Sequence, residues 1–420
     1  MVYKKSELKG KEIKIEPNSI FSKENVNIGR QPEFDYLKTF QTILMVHWHV
    51  YEHYSLDCFY EINRFFHFSL GAGGFMFLMG IGMKYSRNHE PKNYISRGFG
   101  LLTIAQLLYI LRESLPHLIS WWATRKKFFL SNTMLVLQGD ILTFAGFSFF
   151  LFALMKKIKL SDNCILIISI IMNVIAFSLF KIMKSPNNFL LSQILGYFIL
   201  TDAEADFPLF SYFIYVAMGH WAGYYFLKVW NKDKFYNLIL IFCLPFATIY
   251  YYIRSHLNIT ILPEYHSDAY YSLCACPDAI VICMNNLIAL AIFHKINILL
   301  RGKTPQFIIH IAKNLNQYYF LSYLFIVPEY IFLVAKKGKE FPLKMKLPTL
   351  YAFMVFIFCW ILININDKYI HFTITTLKYP KRNFVFALIW IATIIIVVYI
   401  YPKVEVYSSF WNNYLRDEDY

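Results

Sequence analysis

Three histidines and one glutamate lie close together in an otherwise apolar and aromatic stretch, MVHWHVYEHY at 45–54. Histidine changes its charge near neutral pH, so it can act as a general base, a proton relay or a metal ligand. Residues three or four positions apart share one face of a helix. This spacing puts His49 and His53 on one face with Glu52 beside them, and His47 on another. The segment therefore predicts acid–base chemistry centred on His49.

Two other interpretations of this segment stay open. His49, Glu52 and His53 spell H-x-x-E-H, the inverted zinc-protease signature, in which the histidines bind the metal and the glutamate is the base. That site needs a further ligand, and the sequence singles out neither Glu61 nor His67, so we expect no metal. The polar side chains could instead lie at the membrane interface, hydrogen-bonded to water and headgroups. Ionisable groups on membrane helices nevertheless favour a functional role.

The composition defines the surroundings of these histidines. The chain has 420 residues, of which 57% are hydrophobic and only 16% are charged, against about 25% charged in soluble proteins. Apolar stretches of about 17 to 25 residues can cross a bilayer as helices, which satisfy their own backbone hydrogen bonds. The sequence therefore predicts an all-α polytopic membrane protein with about 10 to 12 spans in one bundle. The candidate spans are 36–54, 65–83, 98–119, 133–155, 163–183, 208–230, 236–253, 277–299, 317–335, 347–364 and 383–402, whereas 188–201 is too short to cross alone.

Two polar tails flank this predicted membrane domain. Residues 1–33 are rich in Lys, Glu and Asn, residues 34–402 form the transmembrane domain, and residues 403–420 are again polar. The N-terminal tail lacks the charged start, apolar middle and cleavage site of a signal peptide, so the first span is the expected targeting signal.

Lysine and arginine in the short loops predict the orientation. The N-terminal tail and the even-numbered loops are basic, whereas the first, fifth and seventh loops are acidic. We therefore expect a cell-membrane protein with a cytoplasmic N-terminus. The basic loops at 125–127 and 336–346 break this pattern and leave the topology of the C-terminal half open. The net charge of +14 indicates contact with anionic membrane lipid, and no aromatic-interleaved basic patch points to nucleic acid.

Several segments resemble a known family. FDYLKTFQTILMVHWH at 34–49 resembles the opening of integral membrane acyltransferases, in which a His follows a basic residue by eleven positions. The counterparts here are Asp35, Lys38 and His49. The family's arginine is Lys38 in this chain, which has no bidentate geometry toward phosphate. Three further segments are similar to spans of the heparan-alpha-glucosaminide N-acetyltransferase-like group: GGFMFLMGIGMKYSRNHEPKNYISRGFGLL at 73–102, LQGDILTFAGFSFFLFALMKK at 137–157 and ADFPLFSYFIYVAMGHWAGYYF at 205–226.

The resemblance extends over residues 34–230 and does not choose between that group and the acyltransferase type three-like branch. It implies transfer of an acyl group, with acetyl expected, from cytosolic acyl-CoA to a hydroxyl or amine of a sugar-containing acceptor outside. His49 would then be the general base, with His53 and Glu52 orienting it or substituting for it. The CoA phosphates would meet basic residues at the cytosolic mouth, namely Lys38, Lys84, Arg87, Lys92 and Arg97. Candidate substrate-binding residues are Asp35, Arg112, Asp140, Asp202 and Asp206.

Some of these polar residues also have structural interpretations. Asp140 could anchor the start of a helix or pair with Arg112, and Arg112 could instead pair with Glu113 or face an outer cavity. His220, in MGHWAG, lies between small residues that allow close helix packing, so a packing role is expected. The acidic loop TDAEADFP at 201–208 either grips an acceptor sugar or is merely solvated.

A transporter is the main alternative function. In that interpretation a small or lipid-linked solute crosses the bundle while the histidines carry protons, and broken helices and paired halves would support it. An intramembrane metalloprotease is the third interpretation. The sequence does not identify the acceptor, and it leaves a homo-oligomer open.

Overall fold

The computed structural model describes residues 19–54, 57–87, 89–182, 188–199, 205–256, 275–337, 345–370 and 381–403, and the statements below concern these ranges. Helices dominate them, as the sequence predicts. The helices are α1 (Pro32–Tyr51), α2 (Tyr60–Leu70), α3 (Ala72–Tyr85), α4 (Pro91–Tyr109), α5 (Leu115–Thr124), α6 (Lys127–Asn132), α7 (Ile141–Lys157), α8 (Asp162–Ile182), α9 (Phe189–Gly196), α10 (Leu209–Lys228), α11 (Lys232–His256), α12 (Cys276–Leu299), α13 (Gln306–Lys313), α14 (Leu315–Lys337), α15 (Pro348–Ile365) and α16 (Lys381–Ile400).

Within the described residues, eight helical segments are long and apolar enough to cross a membrane by length and composition. They are Tyr60–Tyr85, Pro91–Thr124, Asp162–Leu179, Lys232–Arg254, Cys276–Leu299, Leu315–Lys337, Pro348–Ile370 and Arg382–Lys403. The protein is therefore an all-α, multi-pass membrane protein.

Three further helices, α1, α7 and α10, occupy the remaining positions of the eleven predicted spans. Helix α1 is not among these eight segments, and it buries polar side chains, among them Glu33, Asp35, Gln41 and His49, inside the bundle. The short helix α9 lies where the sequence predicts a segment that cannot cross alone.

Three of the predicted spans are interrupted rather than continuous. The second is broken at Gly71 between α2 and α3, where an added Cβ would lie 2.3 Å from the carbonyl oxygen of His67. The Leu70 carbonyl at this break accepts a hydrogen bond of 2.6 Å from Gln41. The third carries a π-helical turn at Ile110–Ser114. The fourth, predicted at 133–155, consists of the 3-10 turn Thr133–Leu137 and helix α7, separated at residues 138–140. All three interruptions border the same cavity.

Helices α3 and α10 form the closest helix pair of the core. Their backbones approach so closely that a Cβ at Gly80 would lie 2.1 Å from the Val216 carbonyl oxygen, and one at Gly219 would lie 1.9 Å from that of Phe77. Small residues allow this contact. His220, next to Gly219, is 1% exposed, and its ring packs on Phe152 of α7 with centroids 5.0 Å apart. The expected packing environment of His220 is therefore present.

The end of the N-terminal tail is docked onto the bundle. The Ser22 amide donates to the Lys228 carbonyl at 2.8 Å, the Asn27 amide donates to the Leu227 carbonyl at 2.9 Å, and the Trp230 amide donates to the Ile20 carbonyl at 2.8 Å. The folded part of the chain thus begins before residue 34, the predicted start of the membrane domain. Residues 404–420 of the predicted C-terminal tail lie outside the described ranges.

Candidate functional site

One large cavity of about 850 Å³ runs along α1 inside the bundle. Lys38, near the start of α1, lines one part of it, and His49, Glu52 and His53 line another. Eleven residues of helix at 1.5 Å each separate Lys38 from His49 by about 16 Å. We call the part around Lys38 the lysine end and the part around His49 the histidine end. The cavity therefore joins two chemically different regions through the interior of the bundle.

The histidines lie on the faces that the spacing predicts. His49 is 4% exposed, and both His49 and His53 face the cavity. Glu52, one residue beyond the end of α1, is exposed within the same cavity. His47 points elsewhere, because its ring packs edge-on against Phe353 with centroids 4.6 Å apart. The helical-face argument is thus confirmed.

Helix α14 supplies the wall opposite the histidines. The His49 ring stacks on Tyr323 with centroids 3.7 Å apart and meets Tyr319 edge-on at 5.7 Å. The His53 ring stacks on Tyr330 at 4.8 Å. Tyr319, Tyr323 and Tyr330 recur at helical spacing and so form one stripe facing α1.

A serine of the same helix contacts the imidazole of His49. Ser322 Oγ donates to the Tyr319 carbonyl at 3.1 Å and lies 3.4 Å from His49 Nδ1. Because its proton is already engaged, the serine oxygen is available to accept from an Nδ1–H group. This contact favours the tautomer in which Nε2 carries no proton, which is the form that a general base needs.

The π-helical turn brings an arginine and a carboxylate into the cavity. Arg112 and Glu113 both line it, with Arg112 Nε 3.1 Å from Glu113 Oε1. The guanidinium carbon lies 4.2 Å from the centroid of Tyr323 and 5.0 Å from that of Tyr109. Pairing with Glu113 and facing a cavity, which the sequence left as alternatives, therefore occur together. Such π turns are often found at functional sites.

Asp140 combines a structural contact with a place at the cavity. Its Oδ1 accepts from the Leu142 and Thr143 amides at 2.9 and 3.2 Å, which caps α7 as the sequence predicts. Its Oδ2 accepts from the hydroxyl of Tyr319. Asp206 lines the same cavity, and its amide donates to the Gly139 carbonyl at 2.9 Å.

The lysine end contains only part of the predicted basic cluster. Lys38 and Arg97 line the cavity, joined by Lys313 of α13, which sequence reasoning did not single out. Lys84 instead forms an ion pair with Asp162. Lys92 pairs with exposed Glu90 at 2.8 Å. Arg87 is exposed, and neither Arg87, Lys84 nor Lys92 is among the residues that line the cavity.

Other predicted residues are less closely tied to the cavity. Asp35 forms an ion pair with Arg30 and lines a small side cavity of about 150 Å³ that shares Lys38 with the main one. Asp202 lies outside the described residues. His220 Nδ1 is 3.4 Å from Asp162 Oδ1, in a polar cluster that does not line the main cavity.

The zinc-protease interpretation gains no support from the site geometry. His49 and His53 stack on different tyrosines. Across the described ranges, no group of three or more His, Cys, Asp and Glu side chains is placed to hold a metal ion.

The residues that sequence reasoning missed belong mostly to α14. Tyr319, Ser322 and Tyr323 lie in an apolar span where aromatic residues usually indicate core packing. Their spacing is the only signal that could have identified them, since Ser322 and Tyr323 lie three and four residues after Tyr319, one helical turn along. No protein-family model, curated protein or solved structure shows a significant match to this chain.

Proposed function

We propose that this protein is a membrane acyltransferase that moves an acyl group, most simply acetyl, from acyl-CoA to a hydroxyl or amine of a sugar-containing acceptor. The observation that carries the proposal is the single cavity joining a cationic end to a histidine end about 16 Å away along α1. That separation is comparable to the reach of an extended pantetheine arm. The acyltransferase resemblance of residues 34–230 supports the same function.

The lysine end suits the donor. Lys38, Arg97 and Lys313 line the cavity there, and cations form strong charge-assisted hydrogen bonds to phosphate oxygens. In this proposal the CoA phosphates rest at the lysine end, which faces the cytoplasm of the cell. The thioester then lies at the histidine end.

The histidine end suits the chemistry of transfer. His49 is buried and oriented by Ser322, so it can take the proton of the acceptor as the acceptor attacks the thioester. Glu52 and His53 directly follow the end of α1, line the same cavity and are available to orient the acceptor. The acceptor enters from the side of the membrane opposite to the donor.

A transporter is the second candidate because of one specific observation. Three spans that line the cavity are interrupted, one at Gly71, one by the π turn at Ile110–Ser114 and one at residues 138–140. Discontinuous helices at a polar cavity are typical of transporters.

Acetyl transfer can be tested directly. Purified protein is incubated with radiolabelled acetyl-CoA and a membrane extract, and the labelled product is identified. We expect label in a sugar-containing product, and none when the protein is omitted. Absence of any labelled product, together with proton-coupled solute uptake by the protein in vesicles, would instead establish the transporter.

A further inference from the structure

The guanidinium group of Arg112 has an unused donor. Nε faces Glu113 at 3.1 Å, and Nη2 donates to Gln138 Oε1 at 3.2 Å. The side chain is only 3% exposed, and among the described residues neither Nε nor Nη1 has a hydrogen-bond partner. Nε is at least in ion-pair contact with Glu113, whereas Nη1 has no such contact within the described ranges. A guanidinium carries five N–H donors, and buried donors are seldom left unpaired in native proteins. The unpaired Nη1 donor therefore points to a ligand.

The unused donor lies beside the candidate base. Arg112 lines the main cavity, and its guanidinium carbon is 4.2 Å from the centroid of the Tyr323 ring. The same ring stacks on His49 at 3.7 Å. The Arg112 guanidinium and the His49 imidazole therefore contact the same aromatic ring.

We propose that Arg112 Nη1 binds the acyl carbonyl oxygen and stabilises the oxyanion that forms during transfer, an inference that rests on the proposed acyltransferase function. The acceptor heteroatom forms a bond to the carbonyl carbon and gives its proton to His49. The carbonyl π electrons move to the oxygen beside Arg112. When this intermediate collapses, the C–S bond breaks and the CoA thiolate takes the proton from His49.

The charges around Arg112 favour a transient anion over a permanent one. Glu113 already lies in ion-pair contact with Arg112, and a second carboxylate beside it, carried by an arriving ligand, would be repelled. A neutral carbonyl oxygen meets no such repulsion, and it gains its charge only in the transition state. Interactions that strengthen only then raise the rate of the chemical step.

The test replaces the donor while keeping the charge. Arg112→Lys retains a cation beside Glu113 but removes the forked donor geometry. We expect kcat for acetyl transfer to fall roughly 10²- to 10³-fold, the usual effect of losing one oxyanion donor, with little change in KM for acetyl-CoA. Arg112→Ala should regain part of its turnover when guanidinium ion is added, because the ion can occupy the space left by the side chain.

Controls separate this role from a structural one. If the single variants fail to fold, Arg112→Met combined with Glu113→Gln removes both buried charges together, so no lone carboxylate is left behind. Arg125→Lys is the matched control, because Arg125 also stacks on an aromatic ring, Trp121, but is exposed and lies outside the cavity. Its turnover should be unchanged.

Wild-type kcat in folded Arg112→Lys protein would overturn the inference. So would a loss of folded yield without a loss of turnover per folded molecule, or an unchanged kcat in the double variant. Absence of transfer by the wild-type protein would be a different result, because it would refute the proposed function itself.

Discussion

Replacing His49 by alanine tests the proposed base most directly. A positioned general base contributes about 10²- to 10⁴-fold to the rate, which corresponds to about 2.7 to 5.4 kcal/mol of barrier height. We expect a loss in the upper part of that range. The ring is buried, so bulk water has no easy access to replace it. His53 lies about 6 Å farther along the helix direction and is stacked on Tyr330.

The assay measures labelled acetyl transfer per folded molecule, with the folded fraction taken from the monodisperse peak in size-exclusion chromatography. His47→Ala is the matched control, because it removes the same side chain from the same helix while its ring packs on Phe353 away from the cavity. It should retain near wild-type turnover. His53→Ala should fall between the two, because His53 can only orient or relay.

Three outcomes would refute the assignment. Near wild-type turnover of folded His49→Ala would show that another group takes the proton. Equal losses in the His47 and His49 variants would indicate a packing effect. Equal dependence on His49, Glu52 and His53, with chelator-sensitive activity restored by zinc, would indicate a metal site.

Four further predictions follow from single contacts. Ser322→Ala should lower kcat about tenfold and shift the pH dependence of kcat. Ser322→Thr retains a hydroxyl, so its kcat should be close to that of the wild-type protein. Equal kinetics in both variants would contradict the orienting contact. Replacing Lys38 and Arg97 together by alanine should raise KM for acetyl-CoA at least tenfold, since charge-assisted hydrogen bonds contribute about 1.5 to 3 kcal/mol each. An unchanged KM would mean that the donor binds elsewhere. Gly219→Leu should abolish the yield of folded protein, because even a Cβ at this position would lie 1.9 Å from a backbone oxygen. Gly82→Leu is the control and should fold, because nothing lies within 4 Å of a Cβ at Gly82. Partial burial raises the pKa of Asp57, but hydrogen bonds from Thr349, Tyr51 and the Phe59 amide outweigh it and hold the pKa below its ordinary value. Asp57→Asn should therefore lower the Tm above about pH 4, and this difference from the wild-type protein should disappear as the pH falls further. A difference in Tm that persists in acid would contradict this.

Long apolar runs made most of the fold predictable. Helices α8, α12, α14 and α15 begin and end within a few residues of the predicted spans, because only helices satisfy their backbone hydrogen bonds in hydrocarbon. The interruptions were not predictable in the same way. Hydropathy stays high through Gly71 and Arg112, so an average over a window cannot reveal a change in backbone geometry there.

The site was predictable where helical spacing decides it. His49 and His53 reach the cavity because they lie four residues apart, and Asp140 caps a helix because it precedes one. A charged residue near a helix end does not reveal from the sequence alone whether it reaches the cavity. Lys84 and Lys38 both lie near the ends of their helices, but only the fold shows that Asp162 binds Lys84 while Lys38 reaches the cavity.

The π turn at Ile110–Ser114 also has an evolutionary consequence. A turn of this kind holds one more residue than the α-helical turn it replaces, so it absorbs a single-residue insertion without unfolding the span. Deleting one residue there would restore a regular helix and leave the residues beyond the turn in register, while neighbouring positions within the turn would move by up to about 100°, the angle that separates successive residues of an α-helix. Arg112 and Glu113, which lie in this turn, would then point in new directions while the number of spans stayed the same. A single codon gained or lost at this point could therefore add or remove the buried charges of the cavity in one mutational step.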